Sequence, residues 1–92
     1  MIKVKILLFA TLREKYGVSQ LEVELEKGDF KEAIHKASMI LGRDFLSEVF
    51  SGDSYRSDRL ILVNGRHIQF IKDLKLNDGD TIAIFPPAAG GS

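Results

Sequence analysis

Apolar and polar positions alternate from the second residue onward. In "IKVKILLF", Ile2, Val4, Ile6 and Leu8 share one phase, and Lys3, Lys5, Leu7 and Phe9 take the other. A period of two predicts a strand with one fully apolar face, whose second face turns apolar towards its end. "QLEVELE" repeats the pattern, setting Leu21, Val23 and Leu25 against Glu22, Glu24 and Glu26, and predicts a second strand with a solvated outer face. Between them, "TLREKYG" reads as a short helical turn: Thr11 caps it, Glu14 stands three residues on, and Gly17 suits a left-handed position after the last turn. After Gly28 the period lengthens. Asp29 followed by Glu32 marks a helix start, and Phe30, Ala33, Ile34, Ala37, Ile40 and Leu41 form one apolar stripe that ends at Gly42. "RDFLSEVF" adds a short helical turn through Phe45, Leu46 and Val49, and "SGDSYRSD" is a polar loop.

The rest of the chain reads as strands. "RLILVNGRHIQF" predicts a hairpin turned at Asn64-Gly65, two residues that tolerate the positive φ angles of a type I′ turn. "LNDGD" is another turn, and "DTIAIF" is the last strand, ended by Pro86 and Pro87, which have no N–H to give to a ladder. Strand, strand, helix and three strands make an α+β fold: a mixed sheet of about five strands with one main helix packed on one face. If the first and last strands lie side by side, they must run parallel, with the long helix in the crossover, and the last strand would then be central. One domain then spans residues 1–85, and residues 86–92 form a flexible tail.

Composition narrows the chemistry. Ninety-two residues, 45% of them hydrophobic, suffice for one core, and 13 basic residues balance 13 acidic ones, leaving no overall field for nucleic acid or an anionic membrane. Without cysteine there is no disulfide, thiol nucleophile or cysteine-held metal. No signal-like or membrane-length apolar run is present, so a cytoplasmic location is expected. His35 and His67 have no partner at a recognisable catalytic spacing and read as surface or core-edge residues. Glu22, Glu24 and Glu26 solvate a strand face, and Asp78 and Asp80 belong to a turn. One surface exceeds what packing needs. With Ile6, Leu8, Ile82 and Ile84 facing the helix, Leu7, Phe9, Ala83 and Phe85 make the opposite face apolar beside the tail, where a larger partner would grip. The continuous run at 60–63 leaves its own parity open, with Ile61 or Val63 as candidates to join them.

"LLFATLREKYG", "LVNGRHI" and "LNDGDTIAIFPPAAGG", in that order, resemble the MoaD/ThiS sulfur-carrier family, nearest its MoaD branch of molybdopterin synthase small subunits. The likeness covers nearly the whole chain, and its most specific part is Gly-Asp, an apolar strand, Phe-Pro-Pro and Gly-Gly. It implies a ubiquitin-like β-grasp fold and a carrier without catalytic residues of its own. The Gly91 carboxyl would be adenylated inside a MoeB-like enzyme that uses ATP, become a thiocarboxylate, and deliver sulfur inside a MoaE-like large subunit. The carrier itself would bind no cofactor and no metal. Pro86 and Pro87 would stiffen the exit, while Gly90 and Gly91 would pass a narrow channel without side chains to clash. Carriers for thiamine or tRNA thiolation share this logic, and ubiquitin-like modifiers share the Gly-Gly. Two features depart from the family: the segment between Phe50 and Arg59 is longer and more polar, and Ser92 follows Gly91. Ser92 locks the Gly91 carbonyl in an amide and moves the free carboxyl outward by about 3.5 Å. The expectation is a precursor trimmed by a peptidase, or a working protein without Ser92.

Overall fold

The computed structural model describes residues 1–87. Its five-stranded sheet takes the order β2-β1-β7-β5-β6, formed by β1 (Ile2–Leu8), β2 (Gln20–Leu25), β5 (Leu60–Val63), β6 (Arg66–His67) and β7 (Thr81–Phe85). A separate hairpin joins β3 (Phe50–Ser51) to β4 (Ser54–Tyr55). Helix α1 (Thr11–Tyr16) joins β1 to β2, and α2 (Phe30–Leu41) and α3 (Phe45–Val49) follow β2. The first and last strands pair in parallel, Lys5 with Thr81 through Leu8 with Ile84, and β5 flanks β7 on its other side in antiparallel register. The central place of the last strand is therefore as expected.

The alternation decides what is buried. Val4, Ile6 and Leu8 of β1, Val23 and Leu25 of β2, Ile61 and Val63 of β5, and Ile82 and Ile84 of β7 all face α2, which supplies Phe30, Ala33, Ile34 and Ala37. Ile34 and Ile84 are completely buried, each worth about 1.5–3 kcal/mol of hydrophobic stabilisation. The stripe on α2 is narrower than its sequence suggests. Ile40 lies at its margin and is 63% exposed, and Ser38 turns inward instead, its hydroxyl donating to the His35 carbonyl.

Helix ends differ from their sequence signals in instructive ways. At α1 the N-cap is Ala10, not Thr11, with φ of 52° and no side-chain cap, whereas Gly17 takes the left-handed C-cap as expected. Asp29 caps α2 without a side-chain bond. Glu32 reaches back past it, accepting N–H bonds from Glu26 at 2.7 Å, Lys27 at 3.0 Å and Gly28 at 3.2 Å. The N–H of Glu26 does most, with those of Lys27 and Gly28 helping, to hold the Glu32 carboxyl below its ordinary value of 4.5. A depressed folded-state value means that this stabilisation is complete above the unfolded value and is lost as pH falls through the lower folded one. Glu32→Gln is therefore expected to lower the melting temperature at neutral pH and to flatten its decline below about pH 4.5. Parallel melting curves for the two proteins across the acid range would contradict this.

The segment expected as polar loop folds into the β3–β4 hairpin. Gly52 turns it at φ of 63°, and its two aromatic residues close over the first turn of α2: Tyr55 meets the Phe30 ring edge-on at 5.4 Å, and Phe50 does so at 6.1 Å. Asn64 and Gly65 hold φ of 52° and 84°, the type I′ turn that their residue types imply. Two glycines test the difference between backbone strain and space. Gly65 has nothing within 4 Å of an added Cβ, so Gly65→Val meets only the positive φ, costing about 1–2 kcal/mol. Gly28, at φ of 83°, would bring its Cβ to 2.8 Å from the Leu76 carbonyl oxygen, so even Gly28→Ala is expected to cost about 3 kcal/mol. Urea midpoints that put Gly65→Val below Gly28→Ala would reverse that assignment.

Candidate functional site

Paired strand residues share a face, so the registers settle which side chains look away from α2. Leu7 stands opposite Ala83, Leu62 opposite Ala83 from the other side, and Leu60 opposite Phe85. Phe9 follows β1 directly and stacks on Phe85, ring centroids 4.1 Å apart and planes 8° from parallel. Leu7, Phe9, Ala83 and Phe85 are each half-buried and contiguous with Leu60, which is 40% exposed. The parity left open by the sequence resolves against Ile61 and Val63: both point into the core, and Leu60 and Leu62 join the outer face instead. The run "LILV" has no polar residue to mark its phase, so only the register could place them.

Two devices shape this surface at the tail. The positive φ of Ala10 turns the chain sharply after Phe9 and starts α1, from which Arg13 leans back. Its guanidinium carbon is 5.8 Å from the Phe9 ring centroid, and its Nε donates to the Leu8 carbonyl at 3.4 Å. Pro86 is half-buried and Pro87 exposed where the chain leaves β7. Gly90 and Gly91, together with Ser92, lie outside the described residues.

An ion-pair network ties the margin of the surface to the body of the domain. Lys15 of α1 reaches Glu48 at 2.7 Å and Asp44 at 3.0 Å. Arg59, the residue before β5, donates to Glu48 Oε1 at 2.6 Å and from Nε to the Glu48 carbonyl at 3.0 Å. Burial works against the Glu48 charge, but hydrogen bonds from Lys15 and Arg59 outweigh it and hold the carboxyl below its ordinary value. Burial first, and then the neighbouring Asp44 and Glu48 carboxylates, push the Tyr16 hydroxyl up to about 12, so it stays a neutral donor to Asp44. The arrangement fixes α1, and with it Arg13, to α3 and to the start of β5, where Leu60 stands.

The other candidate side chains have local work. His35 is exposed on α2, and Nδ1 of His67 accepts the Gln69 N–H at 3.2 Å, capping a short 3-10 turn at Ile68–Phe70. Asp78 accepts the Lys3 N–H and Asp80 the Asn77 N–H, both at 2.8 Å, so both aspartates shape the turn before β7. Among the described residues, no group of three His, Cys, Asp or Glu is placed to hold a metal ion. No helix among them is long and apolar enough to cross a membrane.

An apolar face thus runs across β1, β7 and β5 to the point where Pro86 and Pro87 leave the sheet. Comparison with known proteins adds to this geometry. The chain is 32% identical over 87 residues to a molybdopterin synthase sulfur carrier subunit of Dictyostelium discoideum, covering 95% of this chain and 94% of that one. It is 29% identical over 94 residues to the corresponding subunit of Chlamydomonas reinhardtii, covering 98% and 100%. The solution structure of small archaeal modifier protein 1 from Methanosarcina acetivorans superposes with a TM-score of 0.76 at 30% identity, over 99% of this chain and 98% of that one. The fold is thus the ubiquitin-like β-grasp. A family model described as the ThiS family matches residues 6–91, and the chain belongs to that family of ubiquitin-like sulfur carriers.

Proposed function

We propose that this protein carries sulfur for molybdopterin synthesis on the carboxyl carbon of Gly91. The observation that carries the reading is the stacked Phe9–Phe85 pair at the exit of the central strand, on a chain whose relatives are named molybdopterin synthase sulfur carrier subunits. A carboxylate is a poor electrophile. In a MoeB-like partner its oxygen attacks the α-phosphorus of ATP and pyrophosphate leaves; sulfide then adds to the acyl carbon, AMP departs, and a thiocarboxylate remains. In a MoaE-like partner that sulfur attacks a carbon of the pterin precursor and displaces an oxygen leaving group. Water then cleaves the resulting acyl–sulfur bond, so that sulfur stays on the pterin and the Gly91 carboxylate returns, and a second charged carrier supplies the second sulfur. Both partners need the tail in a buried site, so each must hold the domain by a surface next to it. Leu7, Phe9, Ala83 and Phe85, extended by Leu60 and Leu62, supply one, and rigid aromatic anchors dominate such contacts.

A modifier that forms an isopeptide bond through the same carbon is the second reading, favoured by the likeness to small archaeal modifier protein 1. Intact mass separates the two. The protein ending at Gly91, incubated with an adenylating partner, ATP and sulfide, is expected to gain the mass of one oxygen-to-sulfur exchange and then to lose it to the pterin precursor with the large subunit. Ladders of lysine-linked targets without any thiocarboxylate would transfer the assignment to the modifier.

A further inference from the structure

A different surface lies at the far edge of the sheet, on β2. The Leu8 N–H donates to the Ser19 carbonyl at 2.9 Å, which sets the phase of the β1–β2 ladder. Ser19, Leu21, Val23 and Leu25 direct their backbone groups to β1, so those of Gln20, Glu22 and Glu24 point outward. Among the described residues no strand pairs with that edge. Beside it, between β2 and α2, runs a groove of about 310 Å³ lined by Glu22, Val23, Glu24, Lys36, Met39 and Ile40. Met39 is 82% exposed and Ile40 63%, an unusual pair of bare apolar side chains beside an open ladder.

We propose that this edge takes an extended segment of a partner protein as a further strand, with apolar residues alternating with lysine or arginine. Three outward residues offer both N–H and C=O, enough to fix the direction and register of an added strand. Alternation divides the work. Side chains on one side of the segment enter the groove against Met39, Ile40 and the aliphatic stem of Lys36, and those on the other meet the Glu22 and Glu24 carboxylates. The molecule already shows what β2 accepts: on its inner side it pairs with β1, whose Lys3 and Lys5 stand opposite Glu24 and Glu22 while Val4 and Ile6 face the core. A second copy of β2 fits poorly, because it would set glutamates against glutamates. The edge is separated from the Phe9–Phe85 surface by the width of β1, so the proposal stands independently of the function assigned to the tail.

The test uses the full chain, labelled with ¹⁵N and with ¹³C at methyl groups, and a capped synthetic peptide of sequence Gly-Lys-Ile-Lys-Val-Lys-Gly. Binding is expected to shift the amides of Gln20, Glu22 and Glu24 and the methyls of Met39 and Ile40, and to slow exchange at the Glu22 and Glu24 amides. Met39→Asp, at a position exposed enough to leave the fold intact, is expected to weaken the peptide about tenfold. A peptide with glutamate for lysine is expected not to bind. Shifts centred on Leu62 and Phe85, equal affinity for the two peptides, an unaffected Met39→Asp, or no shift at millimolar peptide would each overturn the proposal.

Discussion

A chain ending at Gly91 is expected to acquire sulfur from purified partners, and the same chain carrying Ser92 is expected not to. Only a free carboxylate can attack ATP, and with Ser92 present the Gly91 carbonyl is an amide whose nitrogen will not leave. The serine carboxylate is free but stands about 3.5 Å further along the extended chain. Displacement of that order from the reacting geometry costs about a hundredfold or more in rate. The measurement compares initial rates of pyrophosphate release and thiocarboxylate formation for chains ending at Ser92, Gly91 and Gly90, with no peptidase present. The Gly91 form should react, the Ser92 and Gly90 forms should fall at least about a hundredfold behind, and adding a carboxypeptidase should restore the Ser92 form. Equal rates for the Ser92 and Gly91 forms would remove Gly91 as the sulfur-bearing residue, whatever becomes of the fold.

The second large effect is expected at Phe85. Replacing it with lysine puts a charge at the centre of a contact that must lose its water, and removes the ring on which Phe9 lies. Central aromatic anchors of interfaces carry about 2 kcal/mol or more, so affinity for the adenylating partner and for the large subunit should each fall about thirtyfold. The domain itself should lose only about 1 kcal/mol, the worth of one aromatic stack, because Phe85 faces away from the core. Phe85→Leu, which keeps the surface apolar, should recover most of the affinity. Calorimetric titration of both variants decides it: an unchanged affinity for Phe85→Lys with both partners would take Phe85 out of the contact.

How much of this was legible beforehand depends on how far each decision is local. The strand β2, and β1 as far as Ile6, alternate cleanly because one face is buried and the other wet, and Asn64-Gly65 needs nothing beyond its own backbone to specify a turn. Element order and the helix between them required β1 and β7 to run parallel if they were neighbours, and the register shows that they are. Legibility failed where a segment had no polar marks or too few residues. "LILV" could present either Leu60 and Leu62 or Ile61 and Val63, and only its pairing with β7 chose the leucines for the outer face. Strands of two residues, as in β3 and β4, are too short to show a period; their order comes from Phe50 and Tyr55 gathering on Phe30, a contact formed by tertiary packing. Ile40 falls on the apolar stripe by spacing yet is exposed, because helical spacing marks the margin of a stripe only coarsely. The candidate surface was thus readable in its β1 and β7 halves and silent in its β5 part.

The stacking of Phe9 on Phe85 joins residues from opposite ends of the described chain. It exists only where β7 is paired between β1 and β5, and the β1–β7 pairing is the most non-local in the sheet, closing its largest loop. A chain whose last strand is not paired with β1 therefore lacks the stacked pair. On the function proposed above, a partner that grips both rings would therefore tell fully assembled molecules from those whose last strand is unpaired.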